Sequence, residues 1–262
     1  DIELSKRLAA LADVFVMDAF ATSHRAHAST TGVITFSDDA CAGFLLDEEL
    51  TALSKVKENS KSSIAVLGGA KISTKLSLID SLSKTVDKVI LGGGIANTCL
   101  AAKGYEVGKS LIEESMLEEA KELITNPKII IPESVIVSMN ADEPGRITSA
   151  NSIQENEAIF DIAPDSFVDL EPIIMNAGTI LWNGPIGFFE KENFFAGTAM
   201  IAEMIISSKG FSVAGGGDTI SAAEKAGVLD SLDYVSTAGG AFLEFMEGKK
   251  LPALEALIDK VN

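Results

Sequence analysis

The sequence predicts an α/β protein of the doubly wound kind, a Rossmann-like three-layer sandwich in which helices cover both faces of a parallel sheet. One observation is rhythm. From residue 60 onward short apolar runs read as strands at 64–67, 87–91, 129–138, 179–182, 211–214 and 233–235, with helical patterns at 73–83, 94–103, 193–207, 219–226 and 239–246 between and after them. Alternation of this kind implies parallel strands joined by right-handed crossovers. The second observation is punctuation. Five of the apolar runs end in glycines, at Gly68-Gly69, Gly92-Gly93-Gly94, Gly184 to Gly187, Gly215-Gly216-Gly217 and Gly239-Gly240. In an open parallel sheet all such turns emerge at the carboxyl edge of the strands, where ligands bind.

Ahead of the repeat, ELSKRLAALA (3–12) spaces its apolar residues as an amphipathic helix, and VFVM (14–17) reads as a short buried strand ending at Asp18. The polar loop DAFATSHRAHASTTG follows, with the composition of a site and not of a linker. From Ala40 to Asn59 helical spacing resumes, with acids early (Asp47, Glu48, Glu49) and lysines late (Lys55, Lys57, Lys61), the polarity that suits a helix dipole. That segment reads as a connector between two lobes. Residues 140–176 are irregular, with turns around Pro144-Gly145 and Pro164, and the tail from Leu251 to Asn262 is a short amphipathic helix after Pro252.

A formal charge of -17 removes any net cationic field for a polyanion, so nucleic acid is excluded as a partner class and any bound anion must be held locally. Cys41 and Cys99, the only cysteines, sit in apolar surroundings and read as buried thiols in a reducing compartment. The longest weakly charged window, 89–102, is too short and too rich in glycine for a membrane span. The chain opens on Asp-Ile-Glu-Leu without an initiator Met, which reads as a fragment of a longer polypeptide.

The most informative motif is FSVAGGGDT (211–219). Its three glycines let main-chain N–H groups turn toward an anion, Asp218 offers a hard oxygen to a cation, and Thr219 is placed to cap a helix whose positive end faces the same anion. GGAKISTK (68–75) sets Lys71 and Lys75 four residues apart near a helix start, an arrangement that puts both ammonium groups on one face, in reach of successive phosphates. In WNGPIGFFE (182–190), Asn183 is a candidate donor to a phosphate oxygen and Glu190 a candidate acceptor for a ribose hydroxyl. His24-Arg25-Ala26-His27 offers a guanidinium fork to an anion. GYEVGKS (104–110) is one residue short of a phosphate-binding P-loop and reads as a connecting loop. The glycine triplets fail as dinucleotide fingerprints, with Asn97 and Ile220 where the third glycine is required. That failure counts against an NAD-dependent dehydrogenase, one alternative class; a nucleotide-binding module without catalysis is another.

In order and spacing, DAFATSHRAHAST, GGAKISTK, GGGIANT, VGKSL, WNGPIGFFE, AGGGDT and STAGGA resemble the phosphoglycerate kinases over essentially the whole chain. The resemblance implies that Gly69, Ala70 and Gly92 to Gly94 line an adenine pocket, that Pro185, Gly187 and Glu190 meet the ribose, and that Lys75 and Asn183 hold inner phosphates. It further implies that Lys71 reaches the transferred group, that Gly216, Gly217 and Thr219 present N–H groups at a helix start, and that Asp218 holds Mg2+. Arg25 matches an arginine that contacts the triose substrate, and Gly240 sits near the phosphoryl group in transfer. ATP or ADP and 3-phosphoglycerate or 1,3-bisphosphoglycerate are the implied partners, in a cytoplasmic monomer with no nucleic-acid or membrane partner. Ala238 and Ala21 stand where family members often carry glycine. Because these kinases are longer, the resemblance assigns 1–39 to the end of a substrate domain, 40–59 to an interdomain hinge helix, 60–248 to the nucleotide domain and 249–262 to a tail. The chain alone is then expected to bind nucleotide with little or no turnover.

Overall fold

The computed structural model describes residues 1–58 and 62–261. Asn59, Ser60 and Lys61, where the sequence pattern ends the connector and places its last lysine, lie outside the described residues, as does Asn262. Two compact units result, one formed by Asp1–Lys55 with Ser236–Asn262 and the other by Val56–Val235.

In the first unit the amphipathic segment forms a helix over Ile2–Ala9, whose first turn is capped by the Asp1 carboxylate accepting from the Leu4 N–H at 3.0 Å. Strand β1 (Val14–Met17) pairs in parallel with β2 (Asp39–Ala42). β1 is buried on one face only: Met17 is 2% exposed, whereas Val14 and Val16 are 49% and 51% exposed, because successive strand residues point to opposite sides. Cys41 is exposed for the same reason, while Cys99 is buried and its thiol is pushed up to about 12 by desolvation. The connector helix starts at Phe44 and not at Ala40, since residues 39–42 are spent on β2. Its entry is capped from the end of β1, where Asp18 Oδ1 accepts from the Leu46 N–H at 2.9 Å.

Glu49, one of the early acids of the connector, is fully buried. Its carboxylate accepts from Ser236 Oγ (2.9 Å), the Thr237 N–H (2.8 Å) and Thr237 Oγ1 (2.7 Å). Glu49→Ala strands these donors and is expected to destabilise the protein by about 3 kcal/mol, to be read as an earlier thermal melt. An unchanged melting temperature would contradict it. The tail helix Pro252–Val261 is tied down by the Ala253 N–H on Ser23 O (3.1 Å) and by Lys260 Nζ on Ser37 O.

The second unit is built on β3 (Ser63–Leu67), β4 (Lys88–Leu91), β5 (Ile129–Ile130), β6 (Ser134–Ser138), β7 (Arg146–Ser149), β8 (Ala158–Ile162), β9 (Thr179–Asn183), β10 (Phe211–Gly215) and β11 (Tyr234–Ser236). A six-stranded sheet runs β11-β10-β9-β3-β4-β5, and β10–β9, β9–β3, β3–β4 and β4–β5 all pair in parallel. Every residue of β3 and β9 is buried, as a sheet covered on both faces requires. Trp182, Ile64, Val66 and Ile180 pack there against Leu170 and Ile174 of the Phe167–Met175 helix and Ile201 and Ile205 of the Ala196–Ser207 helix.

The expected single strand over 129–138 is broken. Pro132 has no N–H to give a ladder, so β5 ends at Ile130 and β6 begins a separate antiparallel sheet of order β7-β6-β8. Residues 140–176, read as irregular, therefore supply two strands and the Phe167–Met175 helix, which carries Pro172 inside it. No helix among the described residues is long and apolar enough to cross a membrane.

Candidate functional site

At the carboxyl ends of β3, β4 and β9 the second unit encloses a cavity of about 450 Å³. One wall is main chain and turn: Gly69, Ala70, Gly93, Gly94, Pro185, Gly187 and Glu190, with Asp218 at the edge; the opposite wall is apolar, with Leu100, Val135, Ile159 and Ile162. The turns brace one another. Gly68 N–H donates to Asn183 O (3.1 Å), Gly92 N–H to Leu67 O (2.9 Å), Gly93 N–H to Ile186 O (2.7 Å) and Ile95 N–H to Gly69 O (3.2 Å). Gly216 caps the Gly217–Ala226 helix with a φ of 98°, and a Cβ there would lie 2.9 Å from Asn183 Nδ2, so both conformation and space demand glycine.

Lys71, Lys75, Gly92, Asn183, Gly216, Gly217 and Thr219 do not line this cavity: Asn183 ends β9, Gly217 and Thr219 lie in the helix that Gly216 caps, and Lys71, Lys75 and Gly92 stand in the loops after β3 and β4. The two lysines differ in kind. Lys75 Nζ donates to Gly68 O (2.6 Å) and Asn183 O (2.9 Å), and burial lowers its pKa to about 8, with the Asp218 charge acting in the opposite direction. Lys71 is exposed. They do not share a helix face, because the helix begins only at Leu76 and residues 73–75 form a turn held by Glu113, which accepts from the Ser73 N–H (2.8 Å) and Ser73 Oγ (2.6 Å). The same bonds hold the Glu113 carboxyl below the usual carboxylate range.

Asn183 Nδ2 donates to Gly215 O at 2.6 Å, and its Oδ1 is buried with no partner among the described residues. Thr219 is not the helix cap. As the third helical residue it turns its hydroxyl back onto Gly215 O (2.8 Å) and accepts from the Gly184 N–H (2.7 Å), fastening the glycine turn after β9 to the one after β10. Asp218 stands exposed in the first helical turn, and among the described residues no three His, Cys, Asp or Glu side chains converge as a metal cluster.

Arg25 and Gly240 belong to the other unit. There His24 lies between them: its Nε2 accepts from Arg25 Nε at 3.3 Å, and a Cβ on Gly240 would come within 2.9 Å of the same atom.

Asp161 is the residue that sequence patterning passes over. It lies in β8 at the cavity, 1% exposed, with its carboxyl pushed up to about 7 by burial against the pull of two backbone N–H donors. Its one signal in the sequence is a lone acid inside the apolar run AIFDI.

The family model for phosphoglycerate kinase matches residues 1–249. Among solved structures, phosphoglycerate kinase from Coxiella burnetii is similar with a TM-score of 0.96 and 46% identity, over 100% of this chain and 69% of that one. Phosphoglycerate kinase from Pyrococcus horikoshii OT3 is similar with a TM-score of 0.85 and 32% identity, over the same 100% and 69%. A family match across nearly the whole chain, on a parallel sheet whose glycine turns close one cavity, means that this chain belongs to the phosphoglycerate kinase family.

Proposed function

We propose that the chain binds ADP or ATP in the glycine-walled cavity and serves reversible phosphoryl transfer between 1,3-bisphosphoglycerate and MgADP, giving 3-phosphoglycerate and MgATP. The observation that carries this reading is the meeting of strand-end turns on one cavity, with a half-buried ammonium group beside them and a single carboxylate at a helix start. In this reading Gly69, Ala70 and Gly92 to Gly94 receive the adenine, and Pro185, Gly187 and Glu190 the ribose. Lys75 has two N–H donors engaged, which leaves the third for an inner phosphate. Asn183 likewise has one amide hydrogen committed to Gly215 O and one left for the same group. Lys71 follows the transferred phosphoryl group, and the N–H groups of Gly216, Gly217 and Thr219 face the phosphates at the positive end of their helix.

The family implies Mg2+, and Asp218 fits it: an exposed carboxylate, uncrowded by other acids, suits an ion that keeps several waters and takes its remaining ligands from phosphates. When bound, the ion neutralises phosphate charge. The acceptor in the ATP-consuming direction is already a carboxylate, so no general base is required and the site's work is positioning and charge stabilisation. Arg25 and Gly240 serve the triose side. The setting is a cytoplasmic monomer with 1–39, 40–59, 60–248 and 249–262 as substrate-domain end, hinge, nucleotide domain and tail, closing to keep water from the reacting groups.

Calorimetric titration with ADP, with and without Mg2+, tests the reading. Saturable binding that Mg2+ strengthens is expected, and Asp218→Asn should abolish most of that strengthening, about tenfold, while metal-free ADP still binds. A chain that binds neither ADP nor MgADP overturns the assignment.

A further inference from the structure

We propose that Asp161 is a positioning residue for the cavity, holding the Pro185–Gly187 turn through the start of the Ala196–Ser207 helix; the proposal rests on the nucleotide reading above. Its Oδ2 accepts from the Gly197 N–H at 2.7 Å, and its Oδ1 from the Ile162 N–H at 2.9 Å. The carboxyl fills a slot between two glycines, because a Cβ on Gly187 would lie 2.1 Å from Oδ1 and a Cβ on Gly197 2.2 Å from it. One glycine lines the cavity and the other opens the helix, so the side chain touches both at once. The next helical residue completes the link. Thr198 is fully buried, and its Oγ1 accepts from the Ile186 N–H (3.2 Å) and the Gly187 N–H (3.1 Å). Asp161 therefore fixes the first turn of the helix, and that turn holds the main chain of the cavity wall.

A helix start favours the ionised carboxyl, and burial opposes it. The balance leaves the pKa at about 7, set by desolvation and the two N–H donors alone. No charged neighbour contributes. β6 carries no ionisable side chain, the Gly93–Ala102 helix only Cys99, the Ala196–Ser207 helix only Glu203 and the 183–190 turn only Glu190, while Glu157 beside β8 is paired with Arg146. As pH falls through about 7, the carboxylate gains a proton and one of its two acceptor positions is compromised, which loosens the helix start and the turn it holds. The sign follows: nucleotide binds better to the ionised form, so affinity rises with pH through this range, and by reciprocity bound nucleotide lowers the pKa of Asp161.

The test is a carboxyl-carbon NMR titration of protein labelled at aspartate, with and without saturating MgADP, the Asp161 resonance being identified by its loss in Asp161→Asn. A resonance titrating near neutrality that moves down by about half a unit on saturation is expected, matching a roughly twofold tightening of MgADP binding between about pH 5.5 and pH 7, below the range in which Lys75 loses its proton, that Asp161→Asn lacks. Thr198→Val is expected to weaken MgADP binding about threefold while leaving the Asp161 titration in place. An Asp161 titration indifferent to MgADP, with wild-type binding intact, overturns this inference alone; should Asp161→Asn not fold, the wild-type pH profile and the Thr198→Val measurements decide. Wild-type protein that binds no MgADP at any pH overturns the nucleotide reading and this inference with it.

Discussion

Lys75→Met is expected to weaken MgADP binding by about a hundredfold while leaving the melting temperature unchanged or higher. The two halves of that result have one cause. Lys75 Nζ is held beneath the turns after β3 and β9, and burial has brought its pKa down to about 8 from the ordinary 10.5. A group lowered in this way binds its proton less well folded than unfolded. Its destabilising contribution is fully present below about pH 8 and is relieved as pH rises toward 10.5, so an apolar replacement removes a cost to folding. Binding acts the other way, since phosphates beside the ammonium group favour its charged form and raise its pKa. Near pH 8.5 nucleotide binding should thus take up a proton, seen as a heat that depends on the ionisation enthalpy of the buffer; near pH 6, where Lys75 is already charged, that uptake should vanish and leave only the small proton release from Asp161. Lys75→Met should abolish the uptake at pH 8.5. Identical heats in all buffers at pH 8.5, or a mutant that binds like wild type, would show that Lys75 does not meet the phosphates.

Gly68→Ala is expected to cost about 4 kcal/mol or more, enough to leave little folded protein, whereas Gly217→Ala should fold normally and lose about tenfold in MgADP affinity. At Gly68 a Cβ would lie 1.7 Å from Pro185 O and 2.9 Å from Gly184 O. Both are main-chain atoms in a turn locked by the Gly68 N–H on Asn183 O, so no rotamer change relieves the clash. At Gly217 nothing in the protein lies within 4 Å of the added methyl. Alanine even suits a helix better than glycine does, and the methyl instead occupies space beside the N–H groups assigned to the phosphates. Thermal melts and MgADP titrations on the two variants separate these roles. A Gly68→Ala protein that melts like wild type, or a Gly217→Ala protein with undiminished affinity, would break the corresponding argument.

Much of the cavity wall was legible from the chain, because apolar runs ending in glycines report a conformational requirement that local order alone carries. Gly69, Gly93, Gly187 and Asp218 line one cavity. Lys71 and Lys75 were not separable, since two lysines four apart look alike until the turn bonded to Glu113 leaves one in solvent and places the other beneath two carbonyls. The antiparallel sheet of β6, β7 and β8 was missed because short strands around Pro132 and an internal acid give weak periodicity.

From residue order alone came the parallel α/β class, the strand ends that must be glycine and the family, all properties of spacing and of allowed backbone conformation. Which acids are buried, and what they hold, came only with the folded chain. Glu49 finds Thr237 across 188 residues and Asp161 finds Gly197 across 36. A carboxylate's environment is set by groups that distant in sequence, and no local pattern specifies the desolvation and the donors that decide its chemistry.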